Sequence, residues 1–291
     1  MRLIRLRSQR LEAAVSAHGA ELQSLATADG QALLWHGDPA WWTGRAPLLF
    51  PIVGRVPGDE ILVEGRRYPL KQHGFARTSD FAPVKQSEAA CTFELTSSPA
   101  TLAAYPFAFR LEVRYELFDT SLLVSAVVTN QAPRRAMPFS FGFHPALLWP
   151  LHSSAHKEDH DLSFSHAETA PIARPSDGLL ALTRHPNPVG EGRHLRLRDD
   201  LFADGALIFD TLSSDRITYG CADGFSVAIS FEGMPHLGIW SKPGAPFVCI
   251  EPWHGFAAPE GFADELAKKP GIICLPPGQS RGFQMRLSID T

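Results

Sequence analysis

Much of the chain alternates apolar and polar positions with a period of two, as in Arg110-Leu111-Glu112-Val113-Arg114-Tyr115-Glu116-Leu117 and Ser226-Val227-Ala228-Ile229-Ser230-Phe231. Successive side chains of a strand point to opposite faces, so this alternation marks half-buried strands. The pattern predicts two antiparallel strands over residues 109–117 and 122–129, joined by the polar turn Phe118-Asp119-Thr120-Ser121. Further strands are predicted over residues 1–7, 206–209, 217–219, 237–240, 247–250 and 281–289. Many short strands divided by Gly, Pro and Asp turns point to an all-β chain of stacked antiparallel sheets rather than a parallel α/β fold. Helical signals are few: Ser98 followed by Pro99 is a capped helix start leading to Ala104, and residues 263–269 supply a turn or two at most. Between residues 151 and 192 the alternation weakens into His, Ser, Pro and Gly, which reads as long loops over one sheet edge.

Length and charge narrow the picture. No linker or fixed-period repeat divides the 291 residues, so the expectation is one β-domain spanning 1–291. A formal net charge of -4, with no Lys/Arg stripe, argues against nucleic acid as a partner. The segment Met1-Arg2-Leu3-Ile4-Arg5-Leu6-Arg7 interleaves charge with hydrocarbon and lacks an apolar core, so it predicts neither a signal peptide nor a membrane span. A cytoplasmic, reduced setting follows, with Cys91, Cys221, Cys249 and Cys274 free and mostly buried. The sequence carries no signal for oligomeric state.

Three ionisable residues interrupt apolar, strand-like stretches: His73 before Gly74-Phe75, His144 after Phe141-Gly142-Phe143, and Glu251 between Ile250 and Pro252. Burial penalises each unless it is paired or used, and imidazole with carboxylate is the usual equipment for acid and base work near neutral pH. In an unbroken strand Phe139, Phe141 and Phe143 share one face, and Ser140, Gly142 and His144 share the other, with room for a ligand over Gly142. Glu251 is expected where a buried strand ends before proline, with Trp253 as an aromatic wall. Arg55, Arg77 and Asp204 stand at strand ends or turns and are candidates to hold sugar hydroxyls or an anion. His152, His156 and His160 are spaced as one helical face, but no apolar stripe supports a helix there, so a metal site is not expected. Phosphate-cradling glycine loops and a Gly-x-Ser-x-Gly elbow are absent.

Taken in order, Leu49-Phe50-Pro51-Ile52-Val53-Gly54-Arg55, Tyr68-Pro69-Leu70, His73-Gly74-Phe75-Ala76-Arg77, Ser140-Phe141-Gly142-Phe143-His144-Pro145, Leu237-Gly238-Ile239-Trp240 and Ile250-Glu251-Pro252-Trp253 resemble the aldose 1-epimerase, or galactose mutarotase-like, family. The resemblance covers nearly the whole chain. It implies a large antiparallel β-sandwich with an open sugar-binding cleft, His144 as general acid, Glu251 as general base, His73 as second active-site histidine, and Arg55 and Asp204 as substrate-binding residues. It further implies interconversion of α and β anomers by ring opening and reclosure, with no metal, nucleotide or other cofactor. After Gly54-Arg55 the chain continues Val56-Pro57-Gly58, where the family often has an Asn-Arg-Ile segment, so galactose is not singled out. A hexose 6-phosphate, held by Arg55, Arg77 and Arg45, is the competing substrate, and a non-catalytic carbohydrate-binding protein is the competing role.

Overall fold

The computed structural model describes residues 3–221 and 225–290. It is a large antiparallel β-sandwich with little helix. One sheet has nine strands in the order His194–Arg196, His160–Phe164, Arg216–Cys221, Ser226–Glu232, Ser280–Asp290, Ser121–Asn130, Phe109–Phe118, Ala90–Thr96 and Ala82–Gln86. A second sheet runs Leu207–Phe209, His236–Trp240, Phe247–His254, Phe141–Phe143 and Leu48–Leu49, with Ala146–Leu148 also paired to Phe247–His254. Every ladder in the two is antiparallel.

The alternation read in the sequence is the burial pattern of the large sheet. Leu111, Val113, Tyr115 and Leu117 are buried on one strand, and Leu122, Val124, Ala126 and Val128 on the next. The hairpin between them is tighter than expected, because Phe118 and Ser121 pair and leave a two-residue turn, Asp119-Thr120, with Asp119 at φ 40°. Aromatic rings join the sheets: Phe141 stacks on Phe283 at 5.0 Å, and Phe50 meets Phe109 edge-on at 5.0 Å. A single cluster of buried side chains runs from Ile4 through to Ile289.

The helix Pro99–Ala104 forms where Ser98 and Pro99 predict it, with Ser98 Oγ accepting from Thr101 N–H and Thr101 Oγ1 accepting from Ser98 N–H at 2.8 Å. Over 263–269 only a short 3-10 turn, Leu266–Lys268, appears. Residues 151–192 are not wholly loop. His160–Phe164 is a strand of the large sheet, hidden in the sequence because its alternation begins with a histidine. His160 tolerates full burial because Leu151 N–H donates to Nε2 at 3.0 Å and Nδ1 donates to His156 O at 2.9 Å. His152, His156 and His160 share no helix face, since a 3-10 turn over Lys157–Asp159 separates the last two.

The stretch 137–144 is not one strand. Met137–Phe139 pairs with Ile273–Leu275, whereas Phe141–Phe143 joins the second sheet, so the chain changes partners at Ser140. None of the four cysteines is in a disulfide, as expected, but only Cys91 and Cys249 are buried, with Cys274 exposed. No helix among the described residues is long and apolar enough to cross a membrane.

Candidate active site

A cavity of about 330 Å³ opens against the second sheet, and His73, Arg77, His144 and Glu251 line it together with Trp42, Trp240 and Trp253. Glu251 lies inside the strand Phe247–His254 rather than at a strand end. Pro252 is accommodated because the neighbouring strand on one side is interrupted between Phe143 and Ala146, so no ladder bond is broken there. His144 occupies that interruption. Cys249, Glu251 and Trp253, two residues apart, point to the same face.

Space over Gly142 is not open to a ligand, contrary to the expectation from sequence. A Cβ at Gly142 would lie 2.6 Å from Trp253 Cδ1, and one at Gly238 would lie 2.3 Å from Trp253 Cη2. The two glycines, on strands flanking that of Trp253, let the indole lie down on the sheet. Trp253 is thereby a cavity floor instead of a lid.

His144 Nε2 sits 3.1 Å from Glu251 Oε2, with side-chain exposures of 9% and 2%. Burial pushes Glu251 well above the usual carboxylate range, opposed by the nearby Trp253 indole N–H. Burial likewise drives His144 down to about 3, its own backbone opposing and the Arg77 charge adding to the fall. Both groups therefore favour their uncharged forms, a carboxylic acid facing a neutral imidazole. The Trp42 ring stacks on His144 at 5.1 Å, and Trp240 meets it edge-on at 6.2 Å. His144 Nδ1 and Trp253 Nε1 are buried without a hydrogen-bond partner beside the cavity.

His73 stands 5.8 Å from His144, ring centroid to centroid and edge to face. Its backbone is left-handed, φ 65°, followed by Gly74 at φ 68°, where a Cβ would strike Phe50 O at 2.3 Å. The reversal is fastened by His73 N–H to Gly54 O at 2.8 Å and by Gly54 N–H to His73 Nδ1 at 3.1 Å. A ring nitrogen that accepts from a backbone N–H carries no proton, so His73 is neutral with its hydrogen on Nε2. Burial most of all, then the neighbouring His144 and Arg77, hold it well below the ordinary histidine range. The Nε2–H is a donor, not a titrating acid.

Arg77 lines the cavity, braced by a 3.2 Å bond from Nη2 to Gln72 O. Arg55 is not brought to the wall. Its guanidinium donates to both Asp59 oxygens at 2.8 and 3.3 Å and to Asp177 O at 3.0 Å, beneath the Asp177-Gly178 turn at the rim. Asp204 is exposed on a turn, while its neighbours Gly205 and Ala206 line the cavity. Arg174 anchors that turn through Nη1 bonds to Leu201 O and Gly205 O at 2.8 and 2.9 Å. Arg45 packs on Gly37, outside the wall. Trp42 and Arg174 escaped the sequence reading, and Trp240 entered it only in a strand and in the resemblance, not as a site residue. For Trp42 a signal existed, an aromatic pair Trp41-Trp42 in an otherwise polar loop.

The model of the aldose 1-epimerase family matches residues 2–288. The chain belongs to this family. Family membership makes it an isomerase of the mutarotase class. Protein LacX of Lactococcus lactis subsp. lactis, in its plasmid form, is 31% identical over 283 residues, covering 94% of this chain and 95% of that protein. Among solved structures, a galactose mutarotase related enzyme from Lactobacillus acidophilus superposes with a TM-score of 0.93 at 30% identity, covering 100% of this chain and 98% of the other. A galactose mutarotase-like protein from Lactobacillus casei gives 0.91 at 31% identity, covering 99% and 100%.

Proposed function

We propose that this aldose 1-epimerase family member interconverts the α and β anomers of an unphosphorylated hexopyranose, with Glu251 and His144 exchanging protons with the sugar. The observation that carries the reading is the buried 3.1 Å His144–Glu251 contact facing a cavity that also receives His73. Moving one proton from Glu251 Oε2 to His144 across that contact turns the uncharged pair into carboxylate and imidazolium. Glu251 then accepts the C1 hydroxyl proton as His144 delivers its own to the ring oxygen, and the C1–O5 bond breaks to give the aldehyde. This step returns the residues to their uncharged forms, which burial favours, so the pair is uncharged with either the closed or the open-chain sugar in place. Rotation about C1–C2 and the reverse transfers close the other anomer. His73 donates from Nε2 to the ring oxygen without giving up its proton, and Arg77 and the Trp253 floor orient hydroxyls and ring.

A neutral sugar is favoured over a phosphorylated one by charge at the cavity. Arg77 is the one Lys or Arg in its described lining, and Arg55 at the rim is already matched by Asp59 and Asp177. Polarimetry on freshly dissolved α-glucose, α-galactose and a hexose 6-phosphate tests both parts of the reading. Glu251→Gln is expected to lower kcat by about 100-fold or more. An unchanged rate in that variant refutes the assigned base, and a faster rate with the phosphate refutes the assigned substrate class.

A further inference from the structure

We propose that His144, Cys249 and Glu251 form a binding site for one soft divalent cation of the Zn²⁺ class, and that its occupation shuts off proton transfer. One ligand atom from each residue, an imidazole nitrogen, a thiol sulfur and a carboxylate oxygen, lies within 4.8 Å of the other two, and all three residues are buried. Four ligands around a tetrahedral ion with bonds of about 2.0–2.3 Å sit roughly 3.3–3.8 Å apart, so small side-chain rotations complete the arrangement. Backbone supplies the order: Cys249 and Glu251 project from one face of the strand Phe247–His254, and Ala146, two residues after His144, pairs with Cys249.

Charge balance favours the ion. A thiolate, a carboxylate and a neutral imidazole around a divalent cation sum to zero, so the complex carries no net charge into this apolar setting. Sulfur and imidazole donors select zinc, cadmium or cobalt over magnesium and calcium. Cys249 closes the inner side, packed with Trp35, Ala146 and Phe247 and beneath Trp42 and Trp240, while His144 and Glu251 open on the cavity. The fourth ligand position thus faces the cavity, where water or a sugar hydroxyl fills it. An ion held there takes up the lone pairs with which the two residues exchange protons.

Metal binding is independent of the proposed sugar chemistry, whereas the shut-off rests on it, so the experiment reads them separately. Co²⁺ is titrated into the metal-free protein and thiolate-to-cobalt absorption is followed in the near ultraviolet. The expected result is saturation at one equivalent, displacement by Zn²⁺, and an affinity about 100-fold weaker or worse in Cys249→Ser. The double variant Cys221→Ser/Cys274→Ser keeps the band, and so does the same variant with Cys91→Ala added, which leaves Cys249 as the sole thiol and decides the matter if Cys249→Ser does not fold. Absence of the band, its survival in folded Cys249→Ser, or its loss in the double variant overturns the site. In polarimetry, Zn²⁺ is expected to slow the wild type and a chelator to restore it. Full activity with zinc bound overturns the shut-off, and no mutarotation without metal counts against the sugar chemistry while leaving the absorption result standing.

Discussion

Replacing Gly142 by alanine tests whether the Trp253 floor is built as described. The new Cβ lies 2.6 Å from Trp253 Cδ1 where ordinary contact begins at 3.4 Å, a shortfall of about 0.8 Å. Because the sheet lies behind the indole, the ring yields toward the cavity and takes volume from it. Overpacking of this kind costs about 1–3 kcal/mol. At about 2–4 °C per kcal/mol for a chain of this size, the melting temperature falls by about 2–12 °C. KM for the sugar rises by about tenfold, equivalent to ~1.4 kcal/mol, with a smaller change in kcat because the His144–Glu251 contact is not touched. Thermal unfolding followed by circular dichroism and initial rates by polarimetry read the two effects. Gly282→Ala is the control: its Cβ meets nothing within 4 Å, so it stabilises by about 0.4–1 kcal/mol through the unfolded chain. In a Trp253→Ala background most of the cost of Gly142→Ala disappears, leaving the milder contact with Leu49 Cδ1 at 3.2 Å. If Gly142→Ala melts with Gly282→Ala and binds sugar as the wild type does, the floor is not where the structure puts it.

Two other changes probe the frame around the site. Lys269 is buried, its Nζ donating to Phe256 O at 2.6 Å, and burial lowers it to about 7 from an ordinary 10.5. Between those values the unfolded chain binds a proton that the folded chain does not, so stability rises with pH by up to about 1.4 kcal/mol per unit and is lost again as pH falls toward 7. Melting curves between pH 7 and 10 are expected to show that rise in the wild type and a flatter line in Lys269→Met. Ser98→Ala removes the cap of the helix Pro99–Ala104 and is expected to cost about 1 kcal/mol, read in the same thermal assay.

Strands were legible where pairing partners are close in sequence and one face is buried, as in Phe109–Phe118 and Ser121–Asn130. The helix start was legible because serine and proline act locally. Less was visible where a distant partner decides. The change of partner at Ser140 depends on strands contributed from Leu48–Leu49, Phe247–His254 and Ile273–Leu275. His160–Phe164 depends on its partner strands, His194–Arg196 and Arg216–Cys221, both more than thirty residues away. Of the candidate site residues, His73, His144, Glu251 and Arg77 reach one cavity, each from a segment where a polar group follows or interrupts apolar neighbours. Arg55 and Asp204 do not line it. The carboxylates that claim Arg55 come from Asp59, four residues on, and from Asp177, far along the chain.

Three of the six tryptophans of the chain, Trp42, Trp240 and Trp253, line the cavity, and a fourth, Trp35, packs directly behind it. Half of the protein's tryptophans therefore lie within reach of a bound ligand. Sugar occupancy can be followed by emission without label or turnover, including in Glu251→Gln, where turnover is expected to be slow. The same light distinguishes a ligand that fills the cavity from an ion that enters beneath Trp42.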